Sequence, residues 1–127
     1  MSTKQEDAAA GLKIRTDMWG EAGVERAKNP TPFTAPIEDM VTRYCFGEVW
    51  SRELLDRRTR SMLTISMLIA LSKPNQLAGH IRGAIANGVT KEEIQEVLLH
   101  AMIYCGVPAS VAATQTAVET FKDMGLE

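Results

Sequence analysis

The sequence predicts an all-α fold, and three features of the 127-residue chain indicate it. Apolar residues recur at intervals of three and four, the spacing that places side chains on one face of a helix. Runs of β-branched residues with two-residue alternation, which would indicate strands, are absent from the sequence. Residues that start or end helices divide the chain into about six segments. We therefore expect a single compact domain of about six helices over residues 1–127.

A proline-rich breaker separates the first two predicted helices. An amphipathic pattern covers residues 5 to about 28, and the Asn-Pro-Thr-Pro-Phe run at 29–33 ends it. Pro36 suits the first turn of the second helix, because that turn offers no intrahelical partner for the N–H that proline lacks. We expect this helix to end between Gly47 and Trp50, ahead of a connector.

Start and stop residues also mark the next two helices. Asp56 is the expected N-cap of a third helix, since a side-chain carboxylate accepts hydrogen bonds from first-turn N–H groups. The second half of that helix is apolar on nearly every face, which predicts a central, buried helix. Pro74 starts the fourth helix, and Asn87-Gly88 ends it with the glycine in the left-handed conformation.

The last two predicted helices have the clearest start and end residues. Thr90 and Glu93 form a capping box that starts the fifth helix. Gly106 ends it, and Pro108 opens a sixth helix that runs to about Met124. These two helices carry more apolar side chains than one small bundle can bury, which predicts a subunit interface and therefore a homo-oligomer.

Composition and charge limit the classes of partner. With 14 Lys and Arg against 16 Asp and Glu, the net charge is −2, so we expect neither nucleic acid nor a membrane as partner. The longest apolar run, residues 62–71, is about half of what a bilayer span needs, and the N-terminus has no apolar signal segment. Cys45 and Cys105 fit no CxxC or zinc-ligand spacing, which favours reduced thiols and gives no support for a metal site. We expect a cytoplasmic protein.

His80 is the first candidate catalytic residue. It lies at the edge of the apolar stripe formed by Leu77, Ile81 and Ala84, so its imidazole can face the inside of a bundle. Two interpretations remain open, a hydrogen-bonded core histidine and a group that transfers protons near neutral pH. His100, on a different helix, is expected at the surface or in an interface.

Glu48 and Tyr104 are candidates from two other segments. Glu48 lies beside Trp50 and other apolar residues, where partial desolvation would raise the pKa of its carboxyl. A salt bridge at the helix end is the alternative interpretation. Tyr104, at the end of the fifth helix, can direct its hydroxyl into a cavity, whereas nothing near Cys105 in the sequence lowers the pKa of that thiol.

Four arginines surround the start of the third helix: Arg52, Arg57, Arg58 and Arg60. Extra positive charge at a helix N-terminus is unfavourable for stability and useful for binding an anion. Arg60 leads into the apolar segment and is the best candidate for a bidentate carboxylate contact. A solvated basic face is the alternative, which we expect for at least two of the four.

The sequence resembles the carboxymuconolactone decarboxylase family in separate blocks that read GEVWSR, LLDRRTRSMLTISMLIAL and GHIRGAIANGVTKEEIQEVLLHAMIYCGVPAS. The resemblance extends from about Gly11 to Phe121, and it implies an alkylhydroperoxidase-like all-α bundle assembled as a ring, typically a homohexamer. Peroxidase members of that superfamily carry a CxxC pair before the histidine that corresponds to His80. This chain has Lys73 and Gln76 there, so the resemblance favours the decarboxylase branch.

The resemblance also implies an activity. Such a carboxy-lyase converts γ-carboxymuconolactone, without a cofactor, into an enol-lactone of 3-oxoadipate and carbon dioxide during protocatechuate degradation in the β-ketoadipate pathway. On that chemistry His80 transfers a proton with the help of Glu48. Five residues would bind the substrate: Arg60 as carboxylate clamp, Arg52 or Arg82 beside it, and Trp50 and Tyr104 as pocket walls.

Two other classes of function remain open from the sequence. One is a lactone or keto-acid isomerase or hydrolase on the same scaffold. The other is a thiol-dependent, peroxidase-like antioxidant protein that uses Cys45 or Cys105.

Overall fold

The computed structural model describes residues 1–127, and every regular element in it is helical. The all-α class predicted from the sequence is confirmed. Seven α-helices and one π-helix follow one another: α1 (Lys4–Gly23), α2 (Glu25–Lys28), α3 (Ala35–Asp39), the π-helix (Met40–Trp50), α4 (Arg57–Ala70), α5 (Pro74–Ala86), α6 (Lys91–Cys105) and α7 (Val107–Asp123). No helix combines the length and the apolar character that crossing a bilayer requires.

The chain divides into two compact units, Met1–Asp56 and Arg57–Glu127. The first unit contains α1, α2, α3 and the π-helix, and the second contains α4 to α7. Each unit has a hydrophobic core of its own. The expectation of a single domain over residues 1–127 stays a prediction.

In the first unit, α1 packs closely against the π-helix, and two glycines permit the approach. A Cβ on Gly11 would lie 1.7 Å from the carbonyl oxygen of Thr42, and a Cβ on Gly47 would lie 2.0 Å from that of Asp7. Both distances are shorter than any van der Waals contact, so no larger residue fits at either position. Four buried side chains form the core of this unit: Ile14, Met18, Phe46 and Trp50.

The sequence-based prediction of the first two helices is wrong in two respects. The first helix is not continuous to residue 28, because α1 bends at Gly20, whose φ of +73° and ψ of 178° suit only glycine, and α2 is a separate short helix. The second helix begins near Pro36 as expected, but from Met40 onward the backbone is wound as a π-helix. That form is rare, and the apolar pattern did not indicate it.

The second unit is a four-helix arrangement. α4 and α7 each pack against both α5 and α6, so α5 and α6 occupy opposite corners. Ten buried residues form the core between these helices: Ile65, Ile69, Leu77, Ile81, Ala84, Val89, Ile94, Ala101, Ala113 and Ala117.

The predicted boundary between the fourth and fifth helices is confirmed at atomic level. Gly88 has a φ of +90°, and the N–H of Val89 donates to the carbonyl of Ala84 at 2.9 Å, which is the hydrogen bond that closes a Schellman motif. The hydroxyl of Thr90 accepts from the N–H of Glu93 at 3.1 Å, and the N–H of Thr90 donates to the Glu93 carboxylate at 2.9 Å. α6 therefore starts with the capping box that the sequence indicated.

The remaining boundaries of the second unit also match the prediction. α4 begins at Arg57, directly after Asp56. α6 ends at Cys105, and the next residue, Gly106, has a φ of +96°. α7 follows at once with Pro108 in its first turn. It ends at Asp123, one residue short of the predicted position.

The prediction that α4 is buried on nearly every face is wrong for this chain. Only Ser61, Ile65 and Ile69 are buried, and these four-residue steps define a single face. Leu63 and Met67, on another side of the helix, are 43% and 59% exposed. The other three helices of the unit cover one side of α4 and leave its remaining apolar surface open.

Candidate active site

His80 lies in the middle of α5 and is half-buried. Its Nδ1 atom is shielded from solvent. Burial penalises the charged form of the imidazole and lowers its pKa from 6.5 to about 4. His80 is therefore neutral near pH 7 when no anion lies beside it. A neutral imidazole can accept a proton, and a neighbouring anion would favour that step.

The face of α5 that carries His80 is directed at α4. His80 and Asn87 are seven residues apart, which is two helical turns, so they share one face of α5. The side-chain amide of Asn87 donates to the hydroxyl of Ser61 on α4 at 3.0 Å. That hydrogen bond fixes the register of the two helices and turns the His80 face toward α4.

Arg60 lies near one end of the same pair of helices. It precedes Ser61, and the Ser61–Asn87 hydrogen bond sets this level of α4 beside the C-terminus of α5. His80 lies roughly 10 Å further along α5, since seven residues rise 1.5 Å each. Arg60 and His80 therefore lie at different levels of the helix pair.

Arg82 is on a different side of α5 from His80, because two residues correspond to about 200° of rotation around a helix. Its Nη2 atom lies 3.9 Å from the Asp123 carboxylate of α7, and both side chains are exposed. An exposed pair at this distance contributes little to stability. Because Arg82 does not lie on the same face of α5 as His80, its position gives no support to the assisting role predicted for it.

Tyr104 lies on α6, at the corner of the second unit opposite to α5. Its ring is 78% exposed and packs against His100 at a centroid distance of 5.0 Å. Both residues border a largely apolar groove of about 1260 Å³ between α4 and α6, and the expected surface position of His100 is confirmed. Within one chain, Tyr104 and His80 therefore lie on different sides of the second unit.

Three predicted site residues belong to the first unit. Trp50 is buried in its core, with its ring 5.3 Å from that of Phe46. Glu48 and Arg52 are exposed, Glu48 on the π-helix and Arg52 just after it. The expected desolvation of Glu48 is not found in the chain, because the side chain points away from the core that its apolar neighbours form.

The sequence analysis missed the buried arginine of the first unit. Arg15 is only 8% exposed, and its guanidinium donates to Glu38 at 3.1 Å and to Thr42 at 2.7 Å. It also lies 5.9 Å from the ring centroid of Phe46. A signal was present, since Arg15 falls within the apolar stripe of α1 beside Ile14, where a charged residue needs buried partners.

Both cysteines are free and half-buried. Burial raises the pKa of the Cys45 thiol, and the nearby charge of Arg15 offsets this only in part. A raised pKa lowers the thiolate fraction, which is the reactive form, so the structure gives the thiol-dependent alternative no support at Cys45. No group of three or more His, Cys, Asp or Glu side chains is placed to hold a metal ion.

Comparisons with known proteins give a consistent result over most of the chain. Residues 35–119 match the carboxymuconolactone decarboxylase family. A 4-carboxymuconolactone decarboxylase of Acinetobacter baylyi is 44% identical over 117 residues, which cover 91% of this chain and 87% of that protein. A nitrosuccinic acid decarboxylase of Metarhizium robertsii is 44% identical over 115 residues, which cover 90% of this chain and 80% of that protein.

Proposed function

Because this chain belongs to the carboxymuconolactone decarboxylase family, we propose that it is a carboxy-lyase that removes carbon dioxide from a small unsaturated lactone carboxylic acid without a cofactor. The observation that carries the proposal is the 44% identity with a 4-carboxymuconolactone decarboxylase over 91% of this chain. 4-Carboxymuconolactone is therefore the first substrate to test.

This substrate can hold the electrons that decarboxylation releases. Its departing carboxylate is attached to a ring carbon next to a double bond that is conjugated with the lactone carbonyl. When the carbon–carbon bond breaks, carbon dioxide leaves and the electron pair moves through the double bond to the carbonyl oxygen. A proton then adds to the carbon beside that carbonyl and gives the enol-lactone. The protein supplies a carboxylate clamp, donors for the developing oxyanion and the proton.

His80 is the proton-transfer group in this proposal. Its imidazole is neutral in the free chain, because burial holds its pKa at about 4. An anionic substrate beside it raises that pKa, so His80 takes up a proton as the substrate binds and returns it to carbon. Arg60 clamps a carboxylate, and its offset along the α4–α5 pair supports recognition of one ligand from two ends. Glu48 assists the proton transfer.

A second candidate substrate is nitrosuccinic acid, which the equally similar Metarhizium relative favours. Its nitro group accepts the electron pair that the lactone carbonyl accepts in the first candidate. Both compounds carry two carboxylates, of which one departs and one remains. The same clamp and proton donor therefore serve either reaction, and the two substrates belong in one assay.

Assembly, location and pathway are part of the proposal. Large apolar side chains on α4, α6 and α7 are exposed in the single chain, which supports burial against further copies in a homo-oligomer, a hexamer or a trimer: Leu63, Met67, Leu99, Ile103, Tyr104, Val111 and Val118. The two free cysteines support a cytoplasmic location, and the substrate supports a role in aromatic catabolism.

The decisive experiment is an assay of the purified protein with 4-carboxymuconolactone and with nitrosuccinate, following carbon dioxide release and identifying the product by NMR. We expect turnover of at least one substrate without added metal or cofactor. A Cys45→Ser/Cys105→Ser double variant should retain that turnover. A lactone product that still holds its carboxylate would indicate an isomerase or hydrolase instead, and activity lost with the two thiols would indicate thiol chemistry.

A further inference from the structure

The groove between α4 and α6 is a surface feature of the second unit, with a volume of about 1260 Å³. This volume exceeds the roughly 300–1,000 Å³ of a typical small-molecule pocket. Its least exposed walls are apolar, with Met62 on α4 and with Val97 and Ala101 on α6. The groove therefore suits the side chains of a protein surface better than a single small ligand.

Large apolar side chains stand along both edges of this groove. On α6, Ile103 and Tyr104 are 76% and 78% exposed. On α4, Leu63 and Met67 are 43% and 59% exposed. Contiguous apolar surface of this kind is typical of a protein–protein contact. Because one face carries both an apolar groove and the side chains that fit such a groove, it is complementary to a second copy of itself.

Three polar side chains form a line along the same face of α6. Glu96, His100 and Tyr104 are exposed and four residues apart, so they lie on successive turns of the helix. The rings of His100 and Tyr104 are 5.0 Å apart between centroids. The line thus has a carboxylate at its N-terminal end and a phenol at its C-terminal end. The other charged group that lines the groove, Glu93, is paired with Arg58.

This order of polar groups decides how a second copy can cover the face. A carboxylate that becomes covered needs a hydrogen-bond donor or a cation. With parallel α6 helices, Glu96 would lie opposite Glu96 of the second copy, and the two charges would repel. With antiparallel helices around a two-fold axis near His100, Glu96 lies opposite the hydroxyl of Tyr104 of the second copy, and the contact occurs twice. Charge complementarity therefore favours the antiparallel arrangement.

We propose that the α4–α6 groove is the contact between two copies of this chain, related by a two-fold axis that sets Glu96 of each copy against Tyr104 of the other. A two-fold axis requires an even number of copies, which fits a hexamer and not a trimer. The inference assigns Tyr104 to assembly instead of to the pocket wall that the sequence suggested. It does not depend on the proposed decarboxylase function, because assembly is measured without turnover.

Exchange of charge between the two positions tests the pairing. Glu96→Lys removes the acceptor, and Tyr104→Glu sets two carboxylates opposite each other, each twice per contact. We expect either single variant to raise the dissociation constant at least about 10-fold. Glu96→Lys/Tyr104→Glu sets an ammonium opposite a carboxylate and should return the constant to within about threefold of the unmodified protein. The two positions lie roughly 12 Å apart along one helix, so only a second copy can bring them together.

Sedimentation and light scattering over a dilution series measure the assembly, and circular dichroism checks that each variant is folded. Glu119→Lys, the same change of charge at an exposed position on α7, is the control and should assemble like the unmodified protein. A single-chain mass or an odd number of copies in the unmodified protein would overturn the proposal and assign the groove to another occupant. Unchanged assembly of the single variants, or no recovery in the double variant, would overturn it as well.

A cross-linking experiment gives a second measurement that needs no dissociation. In the Cys45→Ser/Cys105→Ser background, His100→Cys places one thiol close to the proposed axis. A short bismaleimide should then join two copies into a covalent dimer. Glu119→Cys in the same background should give no such dimer. Equal cross-linking at both positions, or none at position 100, would contradict the two-fold contact.

Discussion

Arg58 donates hydrogen bonds to the carboxylate of Glu93 from both terminal nitrogens, from Nη1 to Oε1 at 2.8 Å and from Nη2 to Oε2 at 2.5 Å. The same guanidinium donates to the carbonyl of Gly88, and the Glu93 carboxylate also accepts the N–H of Thr90. The Arg58–Glu93 ion pair and its further hydrogen bonds thus join the start of α4, the turn between α5 and α6, and the first turn of α6. This arrangement holds the elements that carry Arg60 and His80 in their register.

The Arg58–Glu93 pair should make stability depend on acid pH. Hydrogen bonds from Arg58, and then from the N–H of Thr90, lower the pKa of Glu93 from 4.5 to about 2. A carboxyl whose pKa is lower in the folded state contributes stability above pH 4.5, and this contribution is lost as pH falls from 4.5 to 2. Urea midpoints measured from pH 7 to pH 2.5 should show a decline in this window that Glu93→Gln largely removes. Glu92→Gln, which changes an exposed neighbour, should retain it.

His80 should produce a second dependence, in a higher pH window. Its folded pKa is about 4, against 6.5 without burial, so between these values the unfolded chain binds the proton more strongly. Stability from neutral His80 is therefore complete above pH 6.5 and declines as pH falls toward 4, by up to roughly 3 kcal/mol. His80→Gln should flatten the stability curve between pH 4 and 6.5. An unchanged curve would mean that the imidazole titrates near its ordinary pKa.

The activity of His80→Gln tests the proton-transfer role directly. Glutamine keeps a polar side chain of similar length but does not exchange a proton at neutral pH, so we expect kcat to fall about 10²-fold or more. His100→Gln is the matched control, because that histidine is exposed on α6, and its kcat should stay within twofold. Full activity of His80→Gln in the carbon dioxide assay would remove His80 from the mechanism.

The sequence predicted the second unit better than the first, and the reason is local. In α5 and α6 the start and stop signals, Asn87-Gly88 and Thr90 with Glu93, form hydrogen bonds within a few residues of each other. The π-helix has no comparable local signal. It coincides with the close approach of Gly11 and Gly47, two positions 36 residues apart, which only the packed structure brings together.

The candidate site follows the same distinction. The sequence identified His80 and Arg60 as chemically notable, but their offset depends on the Ser61–Asn87 hydrogen bond, which links two helices. Because the second half of α4 is apolar, the sequence predicted that this helix is buried. In the structure, part of that apolar surface of α4 is left exposed by the other helices. The sequence shows which residues are apolar, but it does not show which of them other helices cover.

Substitution of Gly11 should unfold the first unit or weaken it severely. The Cβ of Gly11→Ala would lie 1.7 Å from the carbonyl oxygen of Thr42, so α1 and the π-helix would have to move apart. We expect a loss of about 3 kcal/mol or more, the upper range for overpacking. Gly79→Ala is the contrast, since a Cβ there meets nothing within 4 Å and alanine favours a helix interior. Equal effects of the two substitutions on the urea midpoint would contradict the close packing of α1.

Ser72 offers a stabilising substitution at the end of α4. It is the one non-glycine residue with a positive φ, +55°, and it occupies the position in the turn that glycine fills at Gly88. The N–H of Lys73 donates to the carbonyl of Leu68 at 3.1 Å, which completes the same Schellman motif. Ser72→Gly should raise stability by about 0.5–1 kcal/mol, since relief of the left-handed strain exceeds the added freedom of the unfolded chain. Gly88→Ser should lower it by a similar amount, because its Cβ makes only ordinary contacts with Arg58 and the cost lies in the backbone. Thermal unfolding of both variants checks the prediction, and a Tm change of the same sign in the two would rule out backbone strain as the cause.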